Sequence, residues 1–375
     1  MEKTKRSEPK ARLSKKQICL IVIAALLAAA ILIGVIAAVS SYSPAVLHYG
    51  GVSLGEDTYA YLLACYKYEL LVSNISLGLT DDTAAWQRTD ESGRTYEEIF
   101  KEAADREIAL RFVAAALFDK TGEGLASTYY TAIETALDEM ASYSYDEDMY
   151  DVLKDRYGIG KTELKRAALY EAKYKALKEY MFGKDGSGVL DAAYAERLDA
   201  FYKENYLLYN VIYLSDEKNA ARQEELEERI EAGLGEEGFR DFEVSYSESR
   251  VTENYPDGIY INKRVDYTSV FSAELLSAMG SLDGVGKITS ARDKNDSGTY
   301  YVIRCALPEE PYRSEDSKVI HSLSGFTEYA AAALYREELL DCLTDAEWVA
   351  ERQNAYTVAK TVKAQDYNVV RALGF

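Results

Sequence analysis

Tyr209-Asn210-Val211-Ile212-Tyr213-Leu214 is the stretch that decides the fold. A second run, Tyr300-Tyr301-Val302-Ile303-Arg304-Cys305, follows it later in the chain. Both runs are short, rich in β-branched and aromatic residues, and bounded by charged or turn-forming residues, which is typical of strands. Most of the remaining chain repeats its apolar residues at helical spacing. The sequence therefore predicts a small sheet inside a mostly helical α+β protein.

The residues between these two runs predict the rest of a compact module. Its further elements are helices over 217–232, 239–246 and 271–279 and short strands over 259–261 and 287–289. The predicted order along the chain is β-α-α-β-α-β-β.

Helical patterns flank this module on both sides, and some of them begin with a capping motif. A Ser or Thr followed three residues later by Glu satisfies two free amides at the start of a helix. The motif occurs at Ser53/Glu56, Thr95/Glu98 and Thr344/Glu347. The last pair predicts a helix that runs to about residue 367.

A transmembrane segment is predicted near the N-terminus. Residues 1–16 form a basic tail, and residues 17–40 carry no charged side chain. The apolar run 18–39 is about 22 residues long, which is enough to cross a bilayer core of about 30 Å. Small residues at 37–40 leave a cleaved signal peptide as the competing interpretation, although signal-peptide cores span only about 7–15 residues. Positive residues before the span predict a cytoplasmic N-terminus, a single pass through the cell membrane and an extracytoplasmic body.

The predicted body is strongly acidic. The whole chain has 43 basic and 63 acidic residues and a formal charge of −20. Seven of the basic and two of the acidic residues lie in the first sixteen, so the remainder has 36 and 61, a charge of −25. Such a surface repels nucleic acid and anionic lipid headgroups, so no nucleic-acid partner is expected. It either favours basic partners or is simply a solvated face.

Histidines and cysteines are too few and too far apart in the sequence to indicate a metal site or a catalytic motif. The two histidines, His48 and His321, argue against a histidine-rich metal site or a two-histidine active site. The four cysteines show no CxxC spacing, so neither a zinc site nor a thioredoxin-type motif is supported. Cys65 and Cys342 would lie close together if the outer helices pack against each other, but buried free thiols are the expected state. No motif implies a cofactor or a metal.

The module resembles a parvulin-type peptidyl-prolyl isomerase domain in the order of its pieces. The opening strand His-Ile-Leu-Val of that family is similar to Asn210-Val211-Ile212-Tyr213. The final strand Gly-Tyr-His-Ile-Ile is similar to Thr299-Tyr300-Tyr301-Val302-Ile303. The family segments between these two strands correspond here to 238–242, 246–249, 257–261 and 286–289.

The flanks resemble the helical chaperone part of membrane-anchored foldases of the PrsA/SurA type. Segments 155–164 and 198–206 carry this resemblance. In that family the isomerase module interrupts a helical domain, like the SurA N-terminal domain, that is built from both ends of the chain. The implied divisions are a cytoplasmic tail (1–16), a transmembrane helix (17–40), an N-terminal helical chaperone-like domain (41–206), a degenerate parvulin-like domain (207–308) and C-terminal helices that pack on the N-terminal domain (309–375).

The positions that parvulins use at the floor of their groove carry other residues here. The family has two histidines and a cysteine or aspartate, which correspond to Asn210, Tyr301 and Ser249. Isomerisation has a barrier of about 18–20 kcal/mol, and an enzyme lowers it by holding the proline ring and hydrogen-bonding the twisted amide. Phe271 is a candidate apolar wall. The resemblance thus implies that Asn210, Ser249, Phe271 and Tyr301 are substrate-binding candidates. These residues form either a modified groove with reduced activity or, as we expect, part of an inactive module.

Together with the apolar segment 17–40, the resemblance implies a membrane-anchored extracytoplasmic chaperone or foldase that acts on unfolded or newly exported polypeptides. An active peptidyl-prolyl cis-trans isomerase and a non-enzymatic envelope scaffold are the alternatives. Homodimerisation stays open.

Overall fold

The computed structural model describes residues 44–79, 83–142, 150–151, 154, 160–183, 192–248, 254–255, 257–294, 298–313, 323 and 325–361. The predicted tail (1–16), the predicted transmembrane helix (17–40) and Ser249 lie outside these residues. Among the described helices, none is both long and apolar enough to span a bilayer.

The described strands and helices are each numbered in chain order. The strands are β1 (Ala45–Tyr49), β2 (Val52–Gly55), β3 (Tyr206–Ser215), β4 (Ile259–Asn262), β5 (Ile288–Asp293), β6 (Gly298–Cys305) and β7 (Glu347–Trp348). The helices are α1 (Glu56–Ser73), α2 (Thr83–Trp86), α3 (Tyr96–Thr121), α4 (Ser127–Ser142), α5 (Lys161–Phe182), α6 (Ala192–Asn205), α7 (Asp216–Glu231), α8 (Glu236–Tyr246), α9 (Ala273–Ser281), α10 (Phe326–Cys342), α11 (Ala350–Ala355) and α12 (Val358–Thr361). Single 3₁₀ turns occur at Ile75–Leu77, Pro311–Arg313 and Leu343–Asp345.

The chain forms two compact units. The first consists of Met1–Lys173 and Cys342–Phe375, and the second of Tyr174–Asp341. The second unit is thus an insertion in the first, and its limits lie outside the 207–308 range predicted for the sheet module.

The second unit contains the predicted sheet. Its strand order is β4-β3-β6-β5, with every neighbouring pair antiparallel. The predicted order β-α-α-β-α-β-β is confirmed by β3, α7, α8, β4, α9, β5 and β6. The two stretches that suggested the module, 209–214 and 300–305, lie in its paired central strands.

Helices cover both faces of this sheet. One face packs against α9 through an apolar core that includes Tyr209, Val211 and Val302. The residues that directly precede and follow these three in β3 and β6 point toward the opposite face, because side chains alternate along a strand. On that side α7 and α8 cover β3, with Phe239 and Phe242 of α8 buried. The central strands are therefore apolar on both faces.

An aromatic cluster explains why α6 and α10 belong to the unit that holds the sheet. Phe326 of α10 makes an edge contact with Tyr202 of α6 at 5.9 Å and with Tyr206 of β3 at 5.4 Å between ring centroids. The Tyr312 ring lies 4.5 Å from Phe326 and 5.4 Å from Tyr202. Aromatic pairs of this kind contribute beyond the area they bury. The boundaries of the unit fall inside α5 and at the end of α10.

The first unit contains a three-stranded sheet that the sequence did not predict. Its order is β2-β1-β7, and all its pairs are antiparallel. Ser53 lies in β2, where its hydroxyl is 2.8 Å from His48 Nδ1, so the predicted capping box with Glu56 is wrong. The predicted helix from Thr344 is wrong as well, since Glu347 pairs with His48 in β7.

Helix α3 forms the core of the first unit. Its capping box at Thr95 and Glu98 is confirmed. One face buries Ile108, Phe112 and Val113. The helix is joined to α1 by the Tyr59 hydroxyl, which donates to Asp105 Oδ1 at 2.6 Å. The Asp105 carboxylate also accepts from Gln353 of α11 at 2.8 Å. Residues from both ends of the described chain thus meet in this unit.

The cysteines that the structure describes are free thiols. Cys305 is buried, and Cys65 and Cys342 are partly buried. Cys65 and Cys342, which were expected to be buried free thiols, are thus only partly buried.

Candidate functional site

Asn210 and Tyr301 lie on one face of the two central strands of the second unit. Asn210 is opposite Ile303, and Tyr301 is opposite Ile212. Directly opposed residues share a face, as do residues two apart in one strand. The two side chains are therefore diagonal neighbours on the face that α7 and α8 cover.

Tyr301 is part of the core on this face. Its side chain is 1% exposed, and its hydroxyl donates to Glu227 Oε1 of α7 at 2.8 Å. Burial and the neighbouring Glu227 carboxylate raise the pKa of Tyr301 well above its ordinary value. The hydroxyl stays protonated, and its hydrogen bond ties α7 to the sheet.

Asn210 is half-buried and lies against a tight turn. Gly258 has φ +88°, and its amide donates to Tyr255 O at 2.9 Å. A Cβ at this glycine would lie only 2.5 Å from Asn210 Oδ1 and 2.8 Å from Leu208 Cδ1. Glycine is thus required here both by its backbone angle and by the close approach of Asn210.

Next to Asn210 is an open cleft of about 550 Å³. Its apolar wall is formed by Leu208, Tyr260, Cys305, Ala306, Pro308 and Pro311. Its charged residues are Glu236, Glu237, Arg240 and Asp257. An apolar wall bordered by a few charged groups is typical of a site that binds a ligand. Tyr301 is not among the lining residues.

The cleft has an excess of negative charge. The Arg240 guanidinium is already engaged with the buried Glu243 carboxylate at 2.9 Å. Glu236 lies 3.3 Å from the Ala306 amide, which donates to it. Glu237 and Asp257 make no hydrogen bond or ion pair with any other described residue. Within the described part of the chain, two of the cleft's three carboxylates therefore have no cationic partner.

The Cys305 thiol in the cleft wall is not a reactive nucleophile. The side chain is 6% exposed. Burial, and then the Glu236 carboxylate, raise the pKa of this thiol to about 12. Because the thiolate is the nucleophilic form, the thiol is inert near neutral pH.

The other two predicted site residues are not in the cleft. Phe271 packs with the core on the opposite face of the sheet, where its ring centroid is 6.0 Å from those of Tyr255 and Tyr267. Ser249 lies outside the described residues. The preceding Ser247 lies beside β3, where its hydroxyl accepts from the Tyr213 amide at 3.1 Å.

The arrangement in the cleft can hold a polar or cationic ligand. Asn210 offers one amide for hydrogen bonding, and the carboxylates offer charge. No cluster of three or more potential metal ligands occurs among the residues that the structure describes. Sequence reasoning missed Glu237, Asp257, Pro308 and Pro311, and the only local signal for them was the turn at Asp257-Gly258.

Solved structures of PrsA proteins are similar to this chain at a low level. The peptidylprolyl isomerase PrsA from Bacillus anthracis has 14% identity and a TM-score of 0.24, over 62% of this chain and 94% of that chain. PrsA from Bacillus subtilis has 16% identity and a TM-score of 0.23, over 76% and 95%. The foldase PrsA from Streptococcus pneumoniae has 15% identity and a TM-score of 0.22, over 77% and 97%. Similarity this low assigns no function to the chain.

No protein-family model matches the chain, and no curated protein matches it.

Proposed function

We propose that the protein is a membrane-anchored extracytoplasmic chaperone of the foldase type, whose sheet module binds polypeptide without isomerising it. The observation that carries the proposal is the difference between the surroundings of Asn210 and those of Tyr301, which are neighbours on one face of the sheet. Asn210 borders the cleft, whereas Tyr301 is buried under α7 with its hydroxyl bonded to Glu227. A prolyl isomerase needs several hydrogen-bonding groups around one twisted amide. Of the two described residues that match the parvulin groove floor, Asn210 and Tyr301, only Asn210 lines the cleft.

The cleft itself suits an extended segment of a client polypeptide. Leu208, Tyr260 and the two prolines supply an apolar wall. Glu237 and Asp257 supply charge for a lysine or arginine side chain nearby. We place client binding at this surface, with weak affinity and fast exchange. An anchor at 17–40 would raise the effective concentration of this site where exported chains emerge.

Two assays on the full-length chain in detergent test the function. A proline tetrapeptide is used to measure isomerisation, and suppression of aggregation is measured with an unfolded client. We expect no acceleration above the uncatalysed rate, together with suppressed aggregation. Absence of both activities would reject the chaperone. An acceleration that Asn210→Ala abolishes would establish the isomerase instead.

Charge removal tests where the client binds. The double variant Glu237→Gln, Asp257→Asn should bind a lysine-containing extended peptide about tenfold more weakly, since each exposed charge contact contributes about 0.2–1 kcal/mol. Fluorescence anisotropy measures the affinity. The matched control is Glu231→Gln, Asp283→Asn, which removes the same charge at exposed positions away from the cleft. Equal affinities for the two double variants would place binding elsewhere.

Tyr301→Phe separates a structural from a catalytic role for this tyrosine. The variant loses the hydrogen bond to Glu227 and leaves a carboxylate without that donor, so we expect it to be less stable by about 1–3 kcal/mol. Urea unfolding measures the change. Client binding at temperatures where the variant is folded should equal that of the native chain. A large loss of client binding in a fully folded variant would show that Tyr301 acts in the site.

A further inference from the structure

A short segment of the first unit occupies a groove formed by three helices. Helix α12 (Val358–Thr361) packs against α1, α2 and α3. The Val358 side chain is fully buried, and Ala359 is 6% exposed. The groove is thus filled by residues that lie far along the chain from the helices that form it.

Charged side chains hold this segment by its backbone. The Val358 amide donates to Glu97 Oε1 at 2.6 Å, and the Ala359 amide donates to Glu97 Oε2 at 2.9 Å. Lys67 Nζ donates to the Ala359 carbonyl at 2.9 Å. These contacts use groups that every residue except proline possesses, so they are independent of the side chains of the segment.

The groove retains a strong preference for a backbone when the segment leaves. The Lys67 side chain is 0% exposed, and its ammonium lies 5.7 Å from the centre of the Trp86 ring. A buried charge that loses a hydrogen-bond partner is costly. A vacated groove would present Lys67 to a carbonyl and Glu97 to two consecutive amides.

Side-chain contacts add a modest selectivity. The Tyr356 ring makes an edge contact with Tyr59 at 5.6 Å between centroids. Two residues further on, Val358 and Ala359 fill the closed part of the groove. The groove therefore fits an aromatic residue followed, after one residue, by two small apolar ones.

We propose that this groove is a polypeptide-binding site and that the chain's own residues 356–361 occupy it as an internal ligand. Its external ligand would be a segment of another polypeptide with the same chemistry, an aromatic residue and then a small apolar pair, held through its backbone by Glu97 and Lys67. The proposal concerns the first unit and does not rest on the function proposed for the cleft.

Displacing the internal segment in the full-length chain tests the proposal. Val358→Asp places a charge in the closed part of the groove and should release the segment. The probe is a fluorescein-labelled peptide with the sequence of residues 354–361, and its binding is measured by anisotropy. We expect the variant to bind the peptide at least about tenfold more tightly than the native chain does, because the native segment competes at a high effective concentration.

Recognition of the peptide backbone is tested by comparing the plain peptide with a methylated one. A peptide N-methylated at the alanine that corresponds to Ala359 loses one of the two amides that donate to Glu97. We expect about tenfold weaker binding because a charge-assisted hydrogen bond is lost. The control variant is Asn354→Asp, which adds the same charge at an exposed residue before the groove and should bind the probe like the native chain.

Two outcomes would overturn the proposal. The first is a Val358→Asp chain that keeps its circular dichroism and its cooperative unfolding yet binds the probe no better than the native chain. The second is equal binding of the plain and the N-methylated peptide. If the aspartate unfolds the unit, Val358→Thr, which preserves the side-chain shape, replaces it, and the same two outcomes decide. Client aggregation is not a readout, so this test can fail or succeed independently of the chaperone proposal.

Discussion

At the scale of single residues, Gly258 determines where Asn210 lies. Its φ of +88° is disfavoured for residues with a side chain, and the space that a Cβ would need is taken by Asn210 and Leu208. The turn and the cleft wall therefore depend on one another.

Gly258→Ala should destabilise the second unit by more than the strain of its backbone angle. A residue held in a sparsely populated conformation costs about 1–3 kcal/mol, and the clash with Asn210 adds to this. The matched control is Gly233→Ala, where φ is +91° and no atom lies within 4 Å of the position that the new methyl group would take. Urea unfolding measures both variants. Equal losses would show that the contact with Asn210 contributes nothing.

The residue scale also shows how far the site could be predicted from sequence. Asn210 borders the cleft, and its position in the opening strand is enough to place it on a face of the sheet. Tyr301 is buried, and its hydroxyl donates to Glu227 of another element. No pattern in the sequence around Tyr301 indicates this contact. Phe271 illustrates the same limit, because spacing along the chain does not determine which face of a sheet a loop residue contacts.

At the scale of elements, the same capping motif occurs at Thr95 and at Ser53, but only Thr95 caps a helix. Thr95 accepts a hydrogen bond from the Glu98 amide at 3.2 Å, and Glu98 accepts one from the Thr95 amide at 2.9 Å. Ser53 lies in β2 and bonds to His48 instead. The motif S/T-x-x-E is therefore effective only where the first residue directly precedes the helix.

Thr95→Ala should lower the free energy of unfolding by about 0.5–2 kcal/mol, because it removes the cap of α3. Ser53→Ala serves as the comparison and should change stability by less, since its hydrogen bond to His48 is exposed. Thermal unfolding of the two variants measures the difference. A larger loss for Ser53→Ala would contradict the capping assignment.

Elements whose own residues favour a helix or a strand can be predicted from the sequence. Elements whose conformation depends on distant partners cannot. The runs that became β3 and β6 are β-branched and aromatic along their whole length, so their strand character follows from composition. Strand β7 has only two residues, Glu347 and Trp348, and owes its conformation to pairing with β1. The same Glu347 completes a capping motif in the sequence, which is why a helix was predicted there.

At the scale of the whole molecule, buried tyrosines link stability to alkaline pH. Burial is the first cause that raises the pKa to about 12 for Tyr170, Tyr194, Tyr206, Tyr260 and Tyr300. Their ordinary value is 10.0. The unfolded chain therefore loses these protons at lower pH than the folded chain does.

We expect the contribution of these tyrosines to the free energy of unfolding to be constant below about pH 9 and to fall as the pH rises from 10 toward 12. The sign follows because a raised folded pKa contributes stability that is complete below the unfolded pKa and is lost above it, by up to about 1.4 kcal/mol per pH unit for each group. Urea unfolding from pH 8 to 11 measures the slope. The slope should be smaller in Tyr300→Phe, which removes one such group, and a stability that rises with pH would contradict the prediction.

The pairing of β1 with β7 has a consequence for the order in which the protein can be assembled. Leu47 pairs with Trp348, so this contact closes a loop of about 300 residues, and closing long loops slows folding. During synthesis from the N-terminus, the inserted unit has all its residues while the surrounding unit still lacks β7, α11 and α12. A growing chain that is free to fold up to residue 346 can therefore complete the inserted unit, whereas the surrounding unit cannot yet pair β1 with β7.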